Sequence, residues 1–108
     1  MLDLVLQAIA EPRPREILLL LRSTERSSGE IATHFEVTRP AISQHLQVLA
    51  AAGLVIVRRK GTQRLYRARP EGFAELRGFL DGFWDAHLQI LKQEAEDEER
   101  RSGAHDLT

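Results

Sequence analysis

Cysteine is absent from this sequence of 108 residues. Its absence excludes disulfide bonds, thiolate metal ligands and a thiol nucleophile together. The hydrophobic runs are short, as at residues 17–21, whereas a membrane span needs roughly 18 to 20 apolar residues. The first ten residues include an acid at Asp3 and no basic segment, so they do not resemble a secretory signal. We therefore expect a cytoplasmic protein with one domain and one hydrophobic core.

Acidic residues are absent from residues 38–70. This stretch holds seven basic side chains, whereas residues 1–37 and 71–108 carry net charges of −2 and −6. Each phosphate that a cation neutralises releases counterions, and nearby carboxylates would oppose this release. The stretch therefore favours a phosphate-binding face; the alternative is that solvent-exposed arginines cluster here by chance.

Cap residues and prolines predict the helices of the first half of the chain. A short helix over residues 2–10 is followed by a second that begins at Pro14, because proline is tolerated in a first turn. Ser27 and Glu30 have the spacing of a capping box, which opens a third helix ending near residue 36. Thr38 is the expected N-cap of a fourth helix that runs to about residue 52. The third and fourth helices are joined by a very tight turn, which predicts a helix-turn-helix.

A change of period to two after Gly53 predicts a β-hairpin over residues 54–68. Its polar, glycine-containing tip carries Arg58, Arg59, Lys60 and Arg64. Flexible cations on a projecting ribbon suit the minor groove of DNA or the flanking phosphates.

A last long helix is predicted from Pro70 to about Lys92. Its apolar stripe, with that of the first helix, is too large for a domain of this size to bury alone. We expect a two-fold dimer through the first and last helices; the alternative is packing of both helices within one chain. The predicted dimer interface comprises Leu2, Val5, Leu6, Ile9, Leu80, Phe83, Trp84, His87, Leu88 and Leu91. Residues 93–108 are charged and are expected to form a frayed tail outside the 1–92 domain.

The predicted fold is therefore mainly α with a small β-hairpin: a winged helix-turn-helix with five helices and a two-stranded wing. Residues 2–92 resemble the ArsR family of bacterial winged-helix repressors. The most specific segment is Ser43-x-His45-Leu46-x-x-Leu49-x-x-x-Gly53-Leu54-Val55, which contains the recognition helix, its cap and the next strand. The resemblance implies a homodimer that binds a palindromic operator and leaves it when a signal arrives. That signal could come from a protein or a small-molecule inducer.

The same resemblance implies base reading at the start of the recognition helix. Arginine can pair with guanine and glutamine with adenine, whereas Pro40 could only enter the helix or contact a thymine methyl group. His45 lies beside the buried stripe, so it either packs there or contacts a phosphate. The predicted contacts with double-stranded DNA are Thr38, Arg39, Pro40, Ser43, Gln44, His45 and Gln47 in the recognition helix, and Arg58, Arg59, Lys60, Thr62 and Arg64 in the wing.

Metal sensing is the alternative that the resemblance raises. The family's site on the last helix is shared between two protomers: Asp85 and His87 match the half from one protomer, and Glu98 and Arg101 align with the half from the other. A guanidinium such as that of Arg101 cannot bind a metal. We therefore expect no cofactor, with Asp85 solvated and His87 in the dimer stripe. Catalysis is not expected either, because Ser43 and His45 are two residues apart on a helix and point away from one another. A protein-binding module regulated by a partner is the third possibility.

Overall fold

The structure, a computed structural model, describes the backbone of residues 1–106 and the side chains of residues 1–101. Its elements in chain order are α1 (Leu2–Ala8), α2 (Pro12–Leu21), α3 (Ser28–Phe35), α4 (Arg39–Ala51), β1 (Val55–Lys60), β2 (Gln63–Ala68), a 3-10 turn at Pro70–Phe73, and α5 (Ala74–Asp106). The chain forms two compact units, Met1–Leu76 and the residues from Arg77 onward. Over the described residues, no helix is both long and apolar enough to cross a bilayer.

Two prolines begin α2. The helix starts at Pro12, two residues before the predicted start at Pro14, and both prolines occupy the first turn. Neither position requires an intrahelical N–H donor, so the helix accommodates both rings. Pro14 is buried, together with the apolar side chains of Ile17 and Leu21.

Side-chain caps begin α3 and α4, as predicted. The Ser27 hydroxyl accepts a hydrogen bond from the Glu30 N–H (3.2 Å), and a Glu30 carboxylate oxygen accepts one from the Ser27 N–H (3.1 Å). The Thr38 hydroxyl accepts from the Ala41 N–H at 3.3 Å. Helix α3 ends at Phe35 and is capped by Glu36, whose left-handed φ of 56° lets the chain turn into α4 within three residues. The two helices pack around a core that includes Ile17, Leu21, Ile31, Ile42, Leu46, Leu49 and Leu54.

Strands β1 and β2 form an antiparallel hairpin whose turn is only Gly61 and Thr62. Gly61 has a φ of 63°, a conformation that side-chain-bearing residues rarely adopt and that closes a two-residue hairpin. The predicted polar tip, from Arg58 to Arg64, is therefore too long. Pairing continues to Lys60 and Gln63, so Arg58, Arg59, Lys60 and Arg64 lie on the strands.

Helix α5 differs from its prediction at both ends. It begins at Ala74, after the 3-10 turn that Pro70 opens, and it continues to Asp106. The expected end near Lys92 and the frayed tail are thus corrected over residues 93–106, while residues 107–108 lie outside the described part of the chain. Ion pairs one turn apart, from Arg100 to Asp97 (2.7 Å) and from Arg101 to Glu98 (2.9 Å), favour the helical form of this polar segment.

Helix α1 packs within its own chain more closely than predicted. Val5 is 1% exposed and belongs to the core, so its assignment to a dimer interface is wrong. Leu2 and Ile9 are half-buried, whereas Leu6 remains exposed.

The helix-turn-helix of α3 and α4 followed by a two-stranded wing is a winged helix-turn-helix, as the sequence predicted.

Candidate nucleic-acid interface

Helix α4 presents one apolar and one polar side. Ile42, Leu46 and Leu49 are buried, while the predicted contact residues on the remaining surface are solvent-accessible to different degrees. The exposed ones are Thr38, Arg39, Pro40, Gln44 and Gln47, and Ser43 and His45 are half-buried. The polar side is therefore available to a ligand over its whole length.

A cleft of about 360 Å³ brings α3, α4 and the wing together. Arg39 and Ser43 of α4 face Arg64 of the wing across it, and the Arg39 Nε donates to the Ser28 hydroxyl at 3.4 Å. Hydroxyl, amide and guanidinium groups line the cleft, and among the described residues none of its lining side chains is acidic. The complete lining is Ser27, Ser28, Arg39, Ser43, Thr62, Gln63, Arg64 and Tyr66. These groups match phosphate oxygens and the edges of bases.

A second, more open cleft of about 590 Å³ shares Ser27, Arg39 and Gln63 with the first. Arg26 also lines it, and the Arg26 Nε is buried without a hydrogen-bond partner among the described residues. The sequence analysis missed Arg26, Ser28 and Gln63, because each reaches the clefts through tertiary packing and not through a helical pattern. The only signal was the uninterrupted positive charge of residues 38–70 beside the Ser27–Ser28 helix start.

The register of the wing assigns its cations to two faces. Residues directly opposite one another in an antiparallel pair share a face, so Arg59 and Arg64 lie together on one side. Like charges in such a pair repel, and neither arginine makes an ion pair within residues 1–101. Arg58 and Lys60 lie on the other face, where Arg58 is bound to Glu25. The unneutralised Arg59–Arg64 pair is thus suited to an external anion.

His45 lies apart from these groups. It lines a different, shallow cavity with residues of α1 and of the start of α2, including Gln7, Glu11 and Pro14. This placement favours the packing interpretation of His45 over a phosphate contact.

Comparison with known proteins identifies the family. The family model described as bacterial regulatory protein, arsR family, matches residues 11–57. The chain is 41% identical over 99 residues to the HTH-type transcriptional regulator Rv2034 of Mycobacterium tuberculosis, which covers 88% of this chain and 92% of that protein. The chain belongs to the ArsR family. It is thus a transcriptional regulator of a DNA-binding family, and not an enzyme.

Two further relatives are informative. The transcriptional repressor SdpR of Bacillus subtilis is 42% identical over 57 residues, which cover 53% of this chain and 63% of that protein. A solved structure from Mycobacterium bovis, the homodimeric winged helix-turn-helix DNA-binding domain of Mb0332, superposes with a TM-score of 0.61 at 38% identity. That superposition covers 81% of this chain and 83% of the other.

The metal-site positions of the ArsR family do not converge in this chain. Asp85 and Glu98 are thirteen residues apart on α5, which at 1.5 Å per residue separates them by about 20 Å. Glu98 is paired with Arg101 at 2.9 Å, and His87 packs edge-on against Trp84 with ring centroids 5.9 Å apart. Over the described residues, no three His, Cys, Asp or Glu side chains lie close enough to hold a metal ion. Within one chain these positions are too far apart to bind the same ion, as the resemblance implies for a site whose two halves come from different protomers.

An apolar face on α5 is exposed in this ArsR-family chain. Phe83 is 65% exposed and Trp84 55% exposed, fractions that are large for side chains of this size. The other leucines of the predicted dimer interface on α5, Leu80, Leu88 and Leu91, are also exposed. Phe79 and Ile90 are exposed on the same helix, and the sequence analysis did not include them in that interface.

Proposed function

We propose that this protein is a homodimeric repressor of the bacterial cytoplasm that binds a palindromic operator through α4 and the wing. The observation that carries the proposal is the cleft free of acids, where Arg39 and Ser43 of α4 meet Arg64 of the wing. A recognition helix and a cationic ribbon on one side of a fold are the two elements that winged-helix proteins apply to DNA.

The division of roles follows from side-chain chemistry. Arg39 and Gln44 are the bidentate base readers, to guanine and adenine, with Ser43 beside them. Thr38, Pro40 and Gln47 complete the contact surface of the helix. The wing residues Arg59, Lys60, Thr62 and Arg64 contact the sugar-phosphate backbone, which sets affinity without carrying sequence information.

The apolar face of α5 supports the homodimer, because exposed patches of large apolar side chains usually mark interfaces. The homodimeric state of the Mycobacterium bovis relative is consistent with this. A two-fold axis would place two recognition helices about 34 to 36 Å apart, one turn of B-DNA, on half-sites related by the palindrome. We assign repression to this protein because its relative SdpR is named as a transcriptional repressor.

Two substitutions test the division of roles. Arg59→Ala should weaken binding to all DNA sequences and reduce the slope of log K against log salt by about one. Gln44→Ala should leave the salt slope unchanged and reduce discrimination against a wrong base pair by about 1 to 3 kcal/mol. Fluorescence anisotropy with DNA from upstream of the gene and with random DNA, at 50 and 200 mM salt, measures both quantities.

Arg100→Ala and Gln89→Ala are matched controls, because they make the same changes on α5, outside the cleft. Both should bind DNA as the wild type does. The proposal fails if the wild type shows no preference for the upstream DNA, or if Arg59→Ala and Gln44→Ala act identically on both DNAs.

A further inference from the structure

The side chain of Glu25, which lies outside the acid-free stretch of residues 38–70, contacts the wing. Glu25 lies in the connection between α2 and α3, and its two carboxylate oxygens accept hydrogen bonds from the Arg58 Nε (3.0 Å) and Nη2 (2.9 Å). This is the bidentate geometry in which arginine binds a carboxylate most strongly, and it is the geometry in which arginine also binds phosphate. A phosphate and Glu25 would therefore compete for the same guanidinium donors.

Backbone hydrogen bonds fix Glu25 in this position. Its neighbour Arg26 exchanges two backbone hydrogen bonds with Tyr66 of β2, at 3.0 and 2.9 Å. The connection between α2 and α3 is thereby joined to the outer edge of β2 by an isolated antiparallel β-bridge. The carboxylate is held beside the hairpin by main-chain pairing and does not depend on a long flexible side chain to reach it.

Glu25 acts on only one face of the wing. Arg58, Lys60 and Arg67 belong to the face opposite to that of Arg59 and Arg64, as the strand register shows. These three cations all lower the pKa of the Glu25 carboxyl, with the hydrogen bond from Arg58 as the largest cause, so Glu25 stays ionised at neutral pH. The other face carries Arg64 and Tyr66 into the cleft with Arg39 and Ser43.

We infer that Glu25 is a positioning and specificity-determining residue of the wing, which withholds Arg58 from the DNA backbone and leaves phosphate binding by the cations of the wing to Arg59, Lys60 and Arg64. This inference rests on the proposed DNA-binding function. Arg58 is 55% exposed along its side chain, so it needs no rearrangement of the core to reach solvent once Glu25 releases it. One cation fewer at the phosphates lowers the sequence-independent part of the affinity, which competes with operator recognition.

The test is a set of salt titrations on random DNA and on upstream DNA, with four variants. Glu25→Gln keeps the shape of the side chain but gives up its charge, so Arg58 becomes free to bind a phosphate. Binding to random DNA should tighten, and the slope of log K against log salt should steepen by about 0.9. The gain over the wild type should then shrink about 3.5-fold between 50 and 200 mM salt, as that slope requires. Arg58→Ala alone should leave the slope unchanged, and Glu25→Gln with Arg58→Ala should lose the gain.

Glu16→Gln is the matched control. It removes the same charge from another exposed ion pair, with Arg13 at 3.2 Å on α2, and it should not steepen the slope. A purely structural role for Glu25 would lower affinity and would not raise the slope.

Three outcomes would overturn the inference while leaving the proposed function in place. Arg58→Ala could flatten the slope as Arg59→Ala does, Glu25→Gln could leave the slope unchanged or flatten it, or Glu16→Gln could reproduce the gain. A wild-type protein that does not bind DNA would overturn the proposed function, and the inference with it.

Discussion

The side chains of Ser27 and Glu30 form the cap on which α3, and through it the position of α4, depends. The Glu30 carboxylate accepts the Ser27 N–H, and this backbone hydrogen bond, followed by that of the Ser27 side chain, lowers the pKa of Glu30 below its ordinary value of 4.5. A carboxylate whose pKa is lowered by folding stabilises the native state above the unfolded-state pKa, and this contribution is lost as the pH falls through the folded-state pKa.

We expect Glu30→Gln to destabilise the protein at pH 7. The effect should shrink progressively as the pH falls below the ordinary value of 4.5 and through the lowered folded-state pKa of Glu30, where the native carboxylate becomes protonated. Urea unfolding of both proteins at pH 7 and at steps from about pH 5 to pH 3 measures the difference in free energy of unfolding. Ser27→Ala is a useful comparison, because it removes the hydroxyl but keeps the backbone N–H, so part of the pH dependence should remain. A difference between Glu30→Gln and wild type that stays constant to pH 3 would contradict this account.

Local residue patterns were predictable from the sequence, and distant pairs were not. The Ser27–Glu30 box and the Thr38 cap depend on neighbours three residues away, so their spacing alone encodes them. The Glu25–Arg58 pair joins residues 33 positions apart and follows from the tertiary position of the wing. Val5 was misassigned for the same reason: helical spacing shows that a side chain is apolar, but not whether its own core or a second chain covers it.

The lengths of the elements were harder to predict than their types. Arg58 to Lys60 were interpreted as a tip because they are polar, yet strand pairing requires backbone groups and a permissive turn, which Gly61 provides. Polarity also suggested that α5 ends near residue 92. Charged residues of opposite sign at i and i+3 instead support a helix, as with Arg100 and Asp97.

The turn between the wing and α5 gives a test at the level of elements. A Cβ added to Gly72 would overlap the Gly53 carbonyl oxygen at the end of α4 and lie 3.0 Å from the Leu54 Cδ2. Backbone cannot yield as a flexible side chain does, so Gly72→Ala should destabilise the protein by about 1 to 3 kcal/mol. Gly29→Ala is the control, because its Cβ would have no neighbour closer than 3.7 Å. Urea unfolding of the two variants measures the free energy of unfolding, and equal stabilities would contradict the close contact between Gly72 and the Gly53 carbonyl.

At the scale of the whole molecule, the charge distribution of the sequence predicted which elements carry the positive charge. The seven cations of residues 38–70 lie in α4, the wing and its flanks, because a contiguous stretch of sequence becomes a contiguous surface when it folds as one motif. The contacts between two chains of a dimer were harder to predict from the sequence. A stripe of apolar residues indicates that something covers it, but the contacts that a second chain makes are not encoded in the spacing of one helix.

The exposed face of α5 provides the test of the proposed dimer. Phe83 is 65% exposed in a single chain, and both copies of it would be truncated in a symmetric dimer, so Phe83→Ala should raise the dimer dissociation constant by at least about tenfold. Trp84 is the only tryptophan, and it is 55% exposed, so burial on association should shift its fluorescence to shorter wavelength as the protein concentration rises. Sedimentation velocity gives the constants independently. Gln89→Ala, which truncates a polar neighbour on the same helix, should dimerise like the wild type. If Phe83→Ala dimerises as tightly as Gln89→Ala, the apolar face of α5 is not the dimer interface, and the spacing of the two recognition helices must be set by another surface.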